Sequence, residues 1–178
     1  MIEFGEVVGE GAVRFERLFP GPIERVWAYV TESEKRGKWL APGPMELRVG
    51  GAVELCFRHA DLSPAVEETP EQFKRYEGHV LRGRVTLCEP PRRLAFTWDD
   101  DPADGSEVTF ELTPRGDKVH LRLTHRRLAD KAAMLSVSGG WHTHLAILSD
   151  NLDGRAARPF WATHAALEAA YRQRMGGP

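Results

Sequence analysis

The segment PIERVWAYVTESEKRGKWLAP, residues 22–42, decides the fold. Just before it, residues 13–19 alternate apolar and polar side chains, as a half-buried β-strand does. Within the segment, apolar residues recur at helical spacing, and Pro22 suits a first helical turn because its missing N–H needs no partner there. Thr31 and Ser33 are placed to end this helix and to cap a second one. The segment therefore predicts a strand and two short helices that lead into a sheet.

The chain from residue 45 to residue 126 reads as consecutive strands. The turn signals between them are Pro90-Pro91, the acidic turn Asp99-Asp100-Asp101-Pro102, and residues 114–117. Consecutive strands joined by turns predict an antiparallel meander with one face in water. The positions expected on its inner face are Val53, Leu55, Phe57, His59, His79, Leu81, Gly83, Val85, Leu87, Leu94, Phe96, Trp98, Val108, Phe110, Leu112, Val119, Leu121, Leu123 and His125.

A long amphipathic helix is predicted at residues 141–152, in a helical region that Asp130 opens. Gly139-Gly140 at its start are expected to permit a close approach to the sheet or a bend. A curved sheet must cover its apolar face, and this helix is the longest cover available. Because a helix against a curved sheet leaves a wedge, we expect an apolar pocket between them. An antiparallel sheet whose helices do not alternate with its strands predicts the α+β fold class.

The order and spacing of these motifs resemble the START-like (SRPBCC, birch-pollen-allergen-like) helix-grip proteins. The resemblance covers residues 12–153, and the most similar branch is named for the activator of heat-shock protein 90 ATPase. It implies a curved antiparallel sheet wrapped around a long C-terminal helix. Residues 1–154 are then a helix-grip domain, and residues 155–178 are a helical extension that packs on it or forms a homodimer. The residues that carry the resemblance are Pro22, Val26, Trp27, Trp39, Gly50, Gly51, Gly83, Pro90, Pro91, Leu94, Trp98, Gly140 and Trp141. Trp27 is expected to be largely buried behind the sheet, and Gly83 is expected to lie where a neighbouring side chain crowds the strand.

Composition narrows the classes of partner and the compartment. A formal net charge of −2 over 178 residues lacks the basic excess of a nucleic-acid-binding protein. The sequence shows neither an apolar run of about 18–20 residues nor the basic and apolar regions of a signal peptide, which predicts a cytoplasmic protein without membrane contact. Cys56 and Cys88 are expected to be free thiols, since a hairpin centred near residue 68 would set Cys56 opposite about residue 80.

Eleven residues are predicted to bind a ligand, from strand parity and helical spacing. They are Phe57, His59, His79, Phe96, Trp98, Phe110, His125, Trp141, His144, Leu145 and Leu148, with the histidines as the polar points. No catalytic residue, cofactor or metal is assigned. His142 and His144 cannot share an ion, because helix positions two apart point in nearly opposite directions, and His142 is expected to be exposed.

The acidic connection at residues 61–77 leaves two alternatives open. Residues 69–76 could form one helical turn that acts as a lid over the pocket, or the connection could be a plain solvated excursion.

The sequence favours one function and leaves two alternatives. The favoured function is binding of a small apolar or aromatic molecule between the sheet and the C-terminal helix. A polyketide cyclase or hydratase-like enzyme would need a buried titratable pair, and no inward acid shares the strand faces of the histidines. A chaperone partner is disfavoured, since the eukaryotic activators carry an additional N-terminal domain and only residues 1–12 precede the first strand here.

Overall fold

The computed structural model describes residues 3–100 and 105–176. Its strands are β1 (Glu6–Val7), β2 (Val13–Pro20), β3 (Ala52–Cys56), β4 (Val80–Glu89), β5 (Arg93–Thr97), β6 (Glu107–Arg115) and β7 (Lys118–Arg126). Its helices are α1 (Ile23–Thr31), α2 (Ser33–Arg36), α3 (Lys131–Leu152) and α4 (Phe160–Arg174), and two short 3-10 turns span His59–Leu62 and Glu71–Tyr76.

The seven strands form one antiparallel sheet in the order β1-β2-β7-β6-β5-β4-β3. α3 lies in its concavity, where the Trp141 ring packs 5.0 Å from the Trp98 ring and 5.9 Å from that of Phe110 on β6. The sheet irregularity falls in β4, where the register with β5 shifts between Val85 and Leu87. The predicted α+β helix-grip fold is confirmed.

Glycine at position 83 is required by a close approach of two strands. A Cβ atom there would lie 2.1 Å from the carbonyl oxygen of Thr97 on β5. Any side chain would therefore force β4 and β5 apart. The predicted crowding is present, although the crowding atom belongs to the backbone rather than to a side chain.

Buried Arg36 fixes the loop that follows α2. Its Nε donates to the Ala41 carbonyl at 3.0 Å, and its Nη atoms donate to the carbonyls of Thr31 and Gly43. Burial lowers the pKa of the guanidinium to about 10, so it stays charged at neutral pH. Backbone carbonyls thus replace the water that a buried cation loses, and they hold the loop against the end of the helix.

Several boundaries differ from the sequence prediction. β3 ends at Cys56, because the chain turns at Arg58 and His59 opens a 3-10 turn instead of continuing the strand. The N-cap of α2 is Glu32, whereas the Ser33 hydroxyl accepts a hydrogen bond from the Gly43 N–H at 2.8 Å. The start of α3 agrees with the prediction: Asp130 caps the helix, and its side chain accepts a hydrogen bond from the Ala133 N–H.

The glycine pair lies inside α3, and Gly139 faces α4, rather than the sheet, at an ordinary packing distance. A Cβ atom at Gly139 would lie 3.7 Å from the Cα of Glu168. His142, predicted to be exposed, is buried on the same side, where its Nδ1 lies 2.9 Å from the hydroxyl of Tyr171. That hydroxyl accepts from the Gly5 N–H at 2.7 Å and so is free to donate to the imidazole. The sequence prediction failed here because it left α3 without a partner helix.

The cysteines lie as the predicted hairpin requires. Cys56 pairs with Val80 across β3 and β4, while Cys88 pairs with Leu94 across β4 and β5, and both thiols are free.

Candidate ligand-binding site

A cavity of about 350 Å³ lies between the concave face of the sheet, α3, α4 and the β3–β4 connection, residues 57–79. Aromatic rings and imidazoles make up most of its wall. The lining residues are Leu40, Phe57, His59, Phe73, Tyr76, His79, Leu81, Trp98, Asp99, Ser136, Val137, Gly140, Trp141, His144, Phe160, Trp161 and His164.

Six of the eleven residues predicted from the sequence line this cavity: Phe57, His59, His79, Trp98, Trp141 and His144. The other five, Phe96, Phe110, His125, Leu145 and Leu148, do not line it but lie buried in the core behind it. Two indole rings of the cavity wall pack against three of them. The Trp98 ring covers Phe96 and His125, at ring distances of 6.3 Å and 5.4 Å, and the Trp141 ring covers Phe110. Strand parity gave the correct face for Phe96, Phe110 and His125 but not their depth.

The sequence did not predict that α4 supplies part of the wall, and it left open whether the β3–β4 connection covers the cavity. Phe160, Trp161 and His164 come from α4, and Phe73 comes from the 3-10 turn of the connection. Phe73 stacks on Trp161 at 5.1 Å with 15° between the ring planes. The aromatic residues after Pro159 were a visible signal, but no local pattern shows that a terminal helix folds back over a cavity.

The connection and α4 are tied together by hydrogen bonds. The Glu67 carboxylate accepts from the backbone N–H groups of Trp161 and Ala162 at 3.0 and 2.9 Å, at the start of α4. The Ser63 hydroxyl donates to the Ala157 carbonyl at 3.1 Å. A carboxylate at a helix N-terminus satisfies unpaired N–H groups and favours the helix dipole. The connection is therefore a built wall of the cavity rather than a plain solvated excursion.

His59 and Glu77 form a hydrogen-bonded pair at this wall. The Nδ1 of His59 lies 2.6 Å from a Glu77 carboxylate oxygen, which also accepts from the His59 backbone N–H at 3.1 Å. Burial lowers the pKa of His59, and the Glu77 carboxylate opposes this only in part. His59 is therefore neutral at neutral pH. Since a carboxylate accepts, Nδ1 carries the proton and Nε2 carries a lone pair.

His144 repeats this arrangement from α3. Its Nδ1 lies 2.7 Å from the Trp39 carbonyl oxygen, which only accepts, so Nδ1 again carries the proton. Burial lowers the pKa of His144 to about 3; the neighbouring His59 adds to the shift, and the bond to Trp39 opposes it. The rings of His59 and His144 are 5.7 Å apart. Two neutral imidazoles thus meet in the cavity wall.

His125 lies behind the wall in the opposite tautomer. The Trp141 indole N–H donates to its Nδ1 at 3.1 Å, so the proton sits on Nε2, and burial lowers the pKa of His125 to about 4. This Nε2 is buried without a partner among the residues that the structure describes. The bond fixes the Trp141 ring that lines the cavity, so His125 positions the wall instead of forming it.

Neither a metal centre nor a membrane helix is found among the described residues. Within the described ranges, residues 3–100 and 105–176, no three histidine, cysteine or acidic side chains come close enough together to hold a metal ion. His142 and His144 point apart, toward Tyr171 and Trp39. Over the same ranges, the helices are all too short or too polar to cross a bilayer.

A protein-family model, described as activator of Hsp90 ATPase homolog 1-like protein, matches residues 20–153. The chain belongs to this family. Members of the Hsp90 ATPase activator homolog 1-like family have a START-like fold and generally bind hydrophobic ligands. A search of curated proteins found no match.

Solved structures extend the family match. A protein from Bordetella parapertussis with a solution NMR structure is 47% identical, with a TM-score of 0.80 over 97% of this chain and 92% of that one. CalU16 from Micromonospora echinospora is 20% identical, with a TM-score of 0.69 over 98% and 96%. The Aha1 dimer of Colwellia psychrerythraea is 17% identical, with a TM-score of 0.61 over 79% and 95%. The latter two share the fold.

The buried histidines should make the protein sensitive to acid. The pKa values of His125 and His142 are lowered by burial to about 4, and that of His144 to about 3, from an ordinary value of 6.5. As the pH falls below about 6.5, the unfolded chain binds protons that the folded chain does not. The stability that these histidines contribute is therefore fully present above pH 6.5 and is lost progressively as the pH falls toward 4 and then 3.

Urea unfolding at a series of pH values between about 7.5 and 4.5 measures this loss. The free energy of unfolding should fall with pH, and His144→Gln should make the fall shallower because the amide does not titrate. A free energy that stays flat across this range would contradict the burial of neutral imidazoles.

Proposed function

We propose that the protein binds a small apolar, aromatic molecule in the cavity between the sheet, α3 and α4. The observation that carries this proposal is a space of about 350 Å³ in an otherwise closely packed aromatic core. Ligand cavities in proteins typically occupy about 300–1,000 Å³ and combine apolar walls with a few polar groups. The wall of this cavity has such a composition, since aromatic rings form most of it and histidines supply polar groups to it.

The packing of the aromatic side chains supports an aromatic ligand. Phe160 packs 5.1 Å from the ring of His144 and 4.8 Å from that of His59, so flat surfaces approach the cavity from α3, α4 and the connection. Aromatic rings bind one another through offset and edge-on contacts, which add about 0.5–1.5 kcal/mol to the effect of the buried area. Membership in a family that generally binds hydrophobic ligands supports the same conclusion.

Native mass spectrometry of freshly purified protein, run before and after denaturation, tests the proposal. We expect either a bound small molecule that denaturation releases, or an empty protein that binds Nile red, a neutral apolar dye, with enhanced emission. The dye should be displaced when the natural ligand is added. A protein that carries no bound molecule and leaves the emission of Nile red unchanged would contradict the proposal.

A second candidate function, acid–base catalysis of the cyclase or hydratase kind, is favoured by the His59–Glu77 pair. The sequence offered no acid beside the histidines on the strands, and Glu77 instead reaches His59 from the β3–β4 connection. A neutral imidazole oriented by a carboxylate is a suitable general base. His59→Gln distinguishes the candidates: a binder loses affinity, whereas an enzyme loses turnover and keeps affinity.

A further inference from the structure

Two neutral imidazoles supply hydrogen-bond acceptors to the cavity. His59 uses its Nδ1–H on Glu77, and His144 uses its Nδ1–H on the Trp39 carbonyl. In each ring the remaining polar atom is Nε2, whose lone pair only accepts. The two rings lie 5.7 Å apart, close enough for one small molecule to reach both.

The acceptor character of these nitrogens is fixed by their surroundings. To donate from Nε2, His144 would have to bind a second proton, which its burial disfavours, or give up its bond to Trp39. His59 is held in the same way, because its other nitrogen faces a carboxylate that itself accepts from the backbone. A ligand group that bonds either nitrogen must therefore bring the hydrogen.

The charges around the cavity disfavour an anion. Among the described lining residues there is no lysine or arginine, whereas Asp99 belongs to the wall and Glu77 stands behind His59. An anionic ligand would lose its hydration without gaining a cation, and it would face these carboxylates. Carboxylates and phosphates are thus poor ligands for this wall.

We propose that the ligand is a neutral aromatic molecule that carries an O–H or N–H group and donates it to Nε2 of His144 or His59. This inference rests on the proposed function of the same cavity. A phenolic hydroxyl is the simplest group of this kind. A purely apolar ring would fill the space but would leave both nitrogens desolvated and unpaired.

Three naphthalenes of nearly equal shape test the inference on the full chain at neutral pH. 2-Naphthol donates a hydrogen bond, 2-methoxynaphthalene cannot, and 2-naphthoate is an anion. Protein-observed NMR titration should give 2-naphthol a dissociation constant between about 5-fold and 100-fold lower than that of 2-methoxynaphthalene, as one unpaired buried polar group implies. 2-Naphthoate should bind most weakly.

Matched variants show whether the imidazoles cause the preference. At least one of His144→Phe and His59→Phe should weaken 2-naphthol binding while 2-methoxynaphthalene binds as well as before or better, so that the preference shrinks; a full preference in both variants would show that neither imidazole accepts the bond. His120→Phe, on the opposite face of β7, is the control and should keep the full preference. If a phenylalanine variant does not fold, His144→Leu replaces it, and the ligand series on the unaltered chain stands by itself.

The outcomes separate this inference from the proposed function. Equal binding of 2-naphthol and 2-methoxynaphthalene, or tightest binding of 2-naphthoate, would overturn the donor requirement and leave aromatic binding intact. Nile red binding without any naphthalene binding would also overturn it. If neither the naphthalenes nor Nile red binds, the proposed function fails together with the inference.

Discussion

Replacing Trp39 by alanine should lower the free energy of unfolding by about 3–5 kcal/mol, the usual cost of deleting a buried aromatic ring. Trp39 has no exposed surface, its ring packs edge-on to that of Phe110 at 6.4 Å, and its indole N–H donates to the Tyr29 carbonyl at 2.7 Å. Its own carbonyl holds His144. The substitution leaves a void where the two short helices meet the sheet.

Trp27→Ala is the matched control for this prediction. Trp27 was expected from the sequence to be largely buried, but it is only partly buried and packs at the edge of the core. Removing its ring should therefore lower the free energy of unfolding by less than about 2 kcal/mol, because Trp27 buries less apolar surface on folding than Trp39 does. Urea unfolding followed by circular dichroism compares the two variants. Equal losses, or a larger loss for Trp27→Ala, would show that the wrong indole has been assigned to the core.

The fold was predictable because its signals are local. Alternating side chains placed the strands from β4 to β7, helical spacing placed the second half of α3, and the proline at position 22 marked the start of α1. Each of these features is set by residues within a few positions of one another, so a single sequence contains them.

The candidate site was only partly predictable because it is assembled from distant segments. Glu77 meets His59 across 18 positions of the connection, and Trp161 on α4 meets Phe73 from a different part of the chain. Neither contact leaves a periodic pattern. The end of β3 was placed too late, because apolar alternation continues through Phe57 into a residue that turns.

Depth in the core was the second property that the sequence could not give. His125 and Trp98 both point to the concave side, yet the Trp98 ring covers the imidazole and takes the place on the cavity surface. Side-chain parity distinguishes two faces and carries no information on which ring lies above the other. The depth of His125 below the cavity surface therefore follows only from the packing of the folded protein.

Gly140→Leu should reduce the affinity for Nile red and for 2-naphthol by at least about 100-fold. Gly140 lies within α3 and lines the cavity, and a Cβ atom there would have no described atom within 4 Å outside its chain neighbours and the nearby backbone of its own helix. A leucine side chain can therefore enter the cavity without meeting the backbone and occupy the space of a ligand ring. The fold should survive, because leucine forms helix better than glycine by about 1 kcal/mol.

Gly140→Ala separates the filling of the cavity from the change in the helix. Alanine supplies the same improvement in helix propensity but only one methyl group, so it should stabilise the protein by about 1 kcal/mol and keep affinity within about threefold. Both variants are measured by dye titration and by urea unfolding. A Gly140→Leu protein that is folded and binds both probes as the unaltered chain does would place the binding site elsewhere in the molecule.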